Sequence, residues 1–423
     1  MKYQDIILYL EKEINEKRLV SGSKLPSVRL LSHELNCSKS TVMKAYDELV
    51  KNKLAYVIDK NGYYLMNEPE NRLMSNRVDF TLDNSRRAYQ TNDLQRLMNK
   101  GFSHYRLDYD EVEGYYAFRE SMKRYFKSRK IFASVHDIFT FPSLVQSLLS
   151  VLSIASFDRV LVENATDPRL TDLFKRHKNI STYSFIDYDE NLLELKLIQD
   201  KVKLIVLTPH VHLPTGKSMD LEEKMKLINI CQRHGVYILE INQCEDGLSY
   251  IESQSLYALD KQNIVFHLKT FDKIFSKELK SSVLVTPPDM SKKILYYKDV
   301  YIGKEAVFES LILNEMIEDD AYLDEYKKAL EHFRDAVTSY FEGDSDLYKI
   351  YKSEASNFIF VSVPFHYNLE TVIQEMNHRN VHIENISKYF VDDHDLKGFI
   401  LSLSMVSNKA IHESMQIVSD MLI

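Results

Sequence analysis

Ser38, Lys39, Ser40 and Thr41 stand in a row at the start of a segment with helical periodicity, and Lys44 follows a turn later. Short hydroxyls and cations at a helix N-terminus can reach base edges and phosphates in a duplex groove, where the helix dipole favours the anion. Arg29 opens the preceding amphipathic segment, where a guanidinium can fix a backbone phosphate. Lys60, Asn61 and Gly62 form a turn tip able to enter a minor groove. Other polar groups offer less. His210, His212 and His234 have no cysteine or carboxylate at ligand spacing, so no metal is expected. There is no Gly-x-Gly-x-x-Gly or Walker motif, and with ten glycines phosphate loops are scarce. Cys37, Cys231 and Cys244 are odd in number and read as reduced thiols of a cytoplasmic protein.

The elements that must position the basic residues follow from periodicity. Residues 3–17 place Ile6, Ile7, Leu10 and Ile14 on one helical face. Ser21-Gly22-Ser23 breaks that pattern, and Ser27 caps a second helix with Val28, Leu30, Leu31 and Leu35 as its apolar residues. After a break at Cys37, Ser38 caps a third helix carrying Val42, Tyr46 and Leu49. Leu54–Ile58 and Tyr63–Met66 then read as strands around Asp59-Lys60-Asn61-Gly62. Two short helices joined by a turn and followed by a hairpin make a winged helix-turn-helix. Over residues 17–66, nine Lys/Arg face four Asp/Glu, a local +5 on a chain of net charge −8 that leaves −13 for the remainder. A small basic module on an acidic body is the footprint of local phosphate binding. The alternative is a helical mini-domain whose solvated basic face binds a protein.

At 423 residues the chain is too long for one ordinary core. No apolar run approaches the roughly 20 residues of a membrane helix, and the first residues lack a signal-peptide core, so a soluble cytoplasmic protein with no membrane partner is expected. A polar stretch, 67–77, links residues 1–66 to a body at 78–423. In the body, Asp158–Glu163, Lys203–Thr208, Gly235–Glu240, Ile264–Leu268 and Ser282–Thr286 are short β-branched runs with helical stretches such as Asp220–His234 between several of them. That alternation predicts an α/β fold with a mainly parallel sheet. From about residue 300, helices leading to Phe358–Val363 and Phe399–Ser404 predict a smaller α+β subdomain. The 27 tyrosines and 21 phenylalanines are spread along the chain and read as packing.

The runs Leu25-Pro26-Ser27-Val28-Arg29, Ser38-Lys39-Ser40-Thr41-Val42 and Ala45-Tyr46-Asp47-Glu48-Leu49 resemble the pattern of the GntR family. The resemblance implies a double-stranded DNA operator as partner, contacted by Arg29, Lys39, Thr41 and the wing Gly62. Lys39 stands where that family usually has Arg; it keeps the charge but not the bidentate fork. The body resembles a fold-type-I pyridoxal-phosphate-dependent aminotransferase, in the version fused behind a GntR module, the MocR family. The resemblance rests on Asp108-Tyr109, Glu113-Gly114, Phe118-Arg119 and Arg129, then Thr208-Pro209 and Leu213-Pro214-Thr215-Gly216. It continues through Arg233-His234-Gly235-Val236 with Glu240, Thr270-Phe271-Asp272-Lys273, and Ser387-Lys388-Tyr389. It implies a homodimer, a small-molecule effector, and Lys273 as the Schiff-base lysine, since such a bond needs an unprotonated amine held against an aldehyde.

The cofactor positions depart from that pattern. Ile241 stands where the ring-nitrogen Asp is expected, Gln243 where a Tyr is expected, and Asp167 near a stacking aromatic. Ser143 takes the glycine position before the phosphate helix, with Pro142 removing one donor, and Lys280 replaces a phosphate arginine. Ile400 falls near the arginine that grips a substrate carboxylate. These departures argue against transamination. They leave open pyridoxal phosphate held through Lys273 with Lys280 and Ser143, and equally a degenerate body kept for dimerisation.

Overall fold

In a computed structural model the chain divides into two compact units, Met1–Arg77 and Val78–Ile423. The structure describes residues 3, 5–7, 9–10, 23–51, 55–58, 62–65, 78–82, 91–104, 111–154, 156–177, 179–243, 254–272, 279–318, 328, 331, 333–341, 347–351, 356–402 and 408–422. The expectations for Ile14, Asp59, Lys60, Asn61, residues 67–77, Asp108, Tyr109, Cys244 and Lys273 lie outside the described residues.

In the first unit, Ser27 caps the helix Val28–Glu34 by accepting from the Leu30 amide. Asn36 takes the left-handed turn at φ 47°, and the helix Lys39–Lys51 follows. Asparagine tolerates that conformation better than most residues. Strands β1 (Ala55–Ile58) and β2 (Gly62–Leu65) pair antiparallel, with Ile58 opposite Gly62. Ile6, Leu10, Leu31, Val42, Ala45, Tyr46 and Leu49 form the buried core. The Tyr46 ring lies 4.9 Å from that of Tyr63, and its hydroxyl donates to the Pro26 carbonyl at 2.7 Å. One side chain thereby links helix, helix entry and wing.

The second unit opens with β3 (Val78–Asp79) and is built on a seven-stranded sheet. Its strands are β4 (Ile138–Phe141), β5 (Val160–Glu163), β6 (Ile180–Tyr183), β7 (Leu204–Leu207), β8 (Tyr237–Asn242), β9 (Val265–Thr270) and β10 (Ser282–Val285), in the order β4-β10-β9-β8-β7-β5-β6. Only β10 runs against its neighbours; the other pairings are parallel, made by helical crossovers. Alternate residues feed opposite faces. Leu239 and Ile241 of β8 join Leu144, Leu148 and Leu268 in one apolar cluster, while Ile238 joins Leu227, Ile230 and Val265 in another. The helix Leu221–His234 has a capping box from Asp220 and Glu223 and ends at left-handed Gly235, φ 62°.

Gly114 is required where it stands. Its φ is +122°, and a Cβ there would lie 1.9 Å from Thr140 Oγ1. Beside it, buried Arg119 donates to the Gly114 and Val135 carbonyls at 3.1 and 2.9 Å and pairs with Glu111.

Strands β11 (Lys349–Tyr351), β12 (Phe358–Ser362), β14 (Glu384–Asn385) and β15 (Gly398–Ser402) form an antiparallel sheet ordered β11-β12-β15-β14, and β13 (Val381–His382) pairs parallel with β3. The C-terminal subdomain is therefore not made of late residues alone. Val78 and Phe80 pack into its core, whereas the helix Phe308–Ile317 packs with Phe118, Met122 and Val283 beside the large sheet. Apolar side chains of that helix sit against the earlier helices, and burial rather than chain order decides membership.

Candidate nucleic-acid interface and strand-end site

The helix Lys39–Lys51 buries Val42, Ala45, Tyr46 and Leu49 and turns Lys39, Ser40, Met43, Lys44 and Asp47 to solvent. Ser27, Arg29 and Ser38 are exposed beside them, and Thr41 is half-buried. The structure thus brings most of the expected residues onto the exposed surface of one helix pair. Two have duties within the fold. Ser38 Oγ accepts from the Thr41 amide at 3.1 Å and bonds the hydroxyls of Ser40 and Thr41 at 2.8 and 2.7 Å, so it caps and orders the helix start. The Lys44 ammonium lies 4.7 Å from the Tyr3 ring centroid, which places part of its charge over an aromatic face. Gly62 has φ +110° at the start of β2, where few other residues would serve. Tyr63 donates to Asp47 Oδ1 at 2.9 Å, tying wing to helix.

Lys24, which sequence reasoning counted only as charge, is exposed and paired across the β-bridge to Tyr64, its ammonium 5.7 Å from that ring. Its charge is a sequence signal; its place against the wing strand depends on a backbone pairing that no local pattern announces.

At the carboxyl ends of the parallel strands, where ligands enter open α/β sheets, buried polar residues gather. Glu240 is fully buried and accepts from the Leu256 and Tyr257 amides at 2.7 and 3.0 Å and from His267 Nδ1 at 2.7 Å. Burial pushes its carboxyl up, but His267 and His210 more than offset this and hold it well below the ordinary range. Glu163 is raised well above its ordinary value by burial, against the pull of the Thr208 amide it accepts from. His212, 3.5 Å from Glu163, is lowered to about 3 by burial and by Lys217. Lys269 donates to Asn242 Oδ1 at 3.2 Å. Gln243 Oε1, Thr270 Oγ1 and Asp272 Oδ1 are buried with no partner among the described residues.

The cofactor positions can be tested against this geometry. Ile241 is fully buried in one apolar cluster with Leu239, Phe266 and Leu268, where a ring nitrogen would need a carboxylate. Ser143 Oγ is engaged as the cap of the helix Leu144–Leu152, accepting from the Gln146 amide. Lys280 is exposed. Ile400 is buried in β15 opposite Phe360 and Glu384. Asp167 caps the helix Pro168–Arg176 and is gripped by Arg169 at 2.7 and 2.8 Å; Arg169 also reaches Asp272 at 2.7 Å. Burial works against the Arg169 charge, but the two carboxylates raise its pKa far above the ordinary value. Among the described residues, the Thr270 hydroxyl, which has no partner there, suits a phosphate. Taken together, the described residues do not fit pyridoxal phosphate.

Among the described residues no cluster of histidine, cysteine or carboxylate could hold a metal ion, and no helix is long and apolar enough to cross a membrane.

Residues 2–65 match the bacterial regulatory proteins of the gntR family. Over 99% of both chains, the sequence is 22% identical to the HTH-type transcriptional regulator YcxD of Bacillus subtilis. It is 24% identical to the HTH-type transcriptional regulator YjiR of Escherichia coli over 70% of this chain and 71% of that one. Among solved structures, the kynurenine aminotransferase of Pyrococcus horikoshii superposes with TM-score 0.71 at 18% identity, covering 83% of this chain and 92% of that one. LysN, an α-aminoadipate aminotransferase of Thermus thermophilus, gives 0.69 at 15% identity over 83% and 93%. At such identities the likeness establishes the fold of the body.

Proposed function

Because the chain joins a GntR-type winged helix-turn-helix to a body of aminotransferase fold, the arrangement of MocR-type regulators, we propose that it regulates transcription by binding a double-stranded operator. The module at 1–66, the linker 67–77 and the body at 78–423 have separate tasks in this reading. Arg29, Lys39, Ser40, Thr41 and Lys44 meet the duplex, with Ser27 and Ser38 presenting the helix starts and Lys60 and Gly62 belonging to the wing. The observation that carries the reading is the division of the helix Lys39–Lys51 into a buried apolar face and an exposed face bearing two cations and short hydroxyls at its start.

The body acts as the effector and dimerisation unit of a cytoplasmic homodimer, so that two modules meet two half-sites. A small molecule bound at the strand ends would bias the placement of the modules and thereby operator affinity. Ile241 and Ile400 speak against transamination, since neither a pyridinium nor a substrate carboxylate finds its partner there. The full chain should retard a duplex selected from a random pool and release it as salt rises. Binding indifferent to sequence would overturn the proposal.

A further inference from the structure

We infer that the Asp167–Arg169–Asp272 bridge spans the strand-end crevice and keeps pyridoxal phosphate out of the body. Three observations carry this, and none depends on whether the module binds DNA. First, Arg169 grips Asp167 through two nitrogens and Asp272 through a third, all at 2.7–2.8 Å. Asp167 follows β5 and Asp272 follows β9, yet β7 and β8 lie between those strands in the sheet. The bridge therefore joins the two sides of the crevice in which an α/β sheet takes its ligand. Second, two nearly buried carboxylates share one guanidinium, which leaves an excess negative charge and an Asp272 oxygen with no partner among the described residues. A phosphate dianion brought beside them would be repelled, and like charges in a dry site repel strongly. Third, the groups expected to hold the phosphate are otherwise disposed: Ser143 Oγ serves its helix, and Lys280 faces solvent.

Asp272 directly precedes Lys273 in the chain, so labelling of that lysine is the readout. The test uses the purified full chain with pyridoxal phosphate as probe, followed by borohydride reduction, dialysis and peptide mass spectrometry. In the unaltered protein, labelling of Lys273 should be no greater than that of exposed lysines such as Lys280. Asp272→Ser combined with Asp167→Tyr should raise Lys273 labelling at least tenfold. Asp272→Asn, nearly isosteric, should give a smaller rise and serves if the double variant does not fold. Near-stoichiometric labelling of Lys273 in the unaltered protein would overturn the inference. So would folded variants, verified by circular dichroism, that label no better than the parent.

Discussion

Lys39→Gln is the most informative single change in the module. The side chain is exposed at the first turn of the helix Lys39–Lys51, and its burial is too slight for the substitution to disturb the core. If its ammonium neutralises one phosphate, the slope of log K against log salt should fall by about 0.9 per module. Between 50 and 200 mM salt that amounts to about 3.5-fold in affinity per module, and about twelvefold for two modules on one operator. The variant should thus lose most affinity at low salt and approach the parent at high salt. Lys44→Gln is the internal comparison: its charge already lies over the Tyr3 ring at 4.7 Å, so its slope change should be less than half as large. Fluorescence anisotropy titrations of the full chain on one labelled duplex, at five or more salt concentrations, give the slopes directly. Parallel lines for parent and Lys39→Gln would refute the placement of this helix against the DNA backbone.

Arg29→Gln should behave like Lys39→Gln, with a slope reduced by about 0.9 per module in the same titrations. Tyr46→Phe removes the hydroxyl that satisfies the Pro26 carbonyl and should destabilise the module by about 1 kcal/mol, read from hydrogen exchange of residues 28–51 in the full chain. Gly114→Ala forces a methyl group to within 1.9 Å of Thr140 Oγ1 at a φ of +122°. The body should lose about 3 kcal/mol or more, and its melting temperature should drop while operator binding by the surviving fold is kept. His212 is held at about 3 by burial, below its ordinary value, so it binds a proton in the unfolded chain before it does in the folded one. Its burial therefore costs nothing above about pH 7 and destabilises progressively as pH falls through 6.5 toward 3. Relative to the parent, His212→Gln should gain about 1 kcal/mol between pH 7 and 5.5 in urea titrations, and an unchanged difference would contradict the assignment.

The module was legible because its signals are local. Ser27 and Ser38 cap where their spacing to the next apolar residues says they should, and the described residues of the wing pair as strands where strands were expected, with Gly62 added at the start of the second. In the body, the runs feeding β5, β7, β8, β9 and β10 showed as apolar segments because both faces of that sheet are covered. Strand β6, Ile-Ser-Thr-Tyr, lies at the sheet edge and is half exposed, so it carries no apolar run to notice. The membership of Val78 and Phe80 in the C-terminal core joins residues some 250 apart or more, beyond any periodic pattern. The same holds for the ion bridge: Asp167 read as a lone carboxylate near an expected aromatic, and its partner through Arg169 is 103 residues further along the chain from that arginine. Departures at single positions could be seen in the sequence, but not how the substituted side chains satisfy one another.

Tyr46 sets a condition on how any signal can act. Its hydroxyl fastens the Pro26 entry, its ring lies against Tyr63, and Tyr63 in turn donates to exposed Asp47 on the helix Lys39–Lys51. Among the described residues of the module, these three ties fix the helix, its entry and the wing to one another. In the proposed reading, an effector would therefore shift the spacing or tilt of whole modules on the duplex, and half-site separation, rather than the letters within a half-site, is what such a switch would tune.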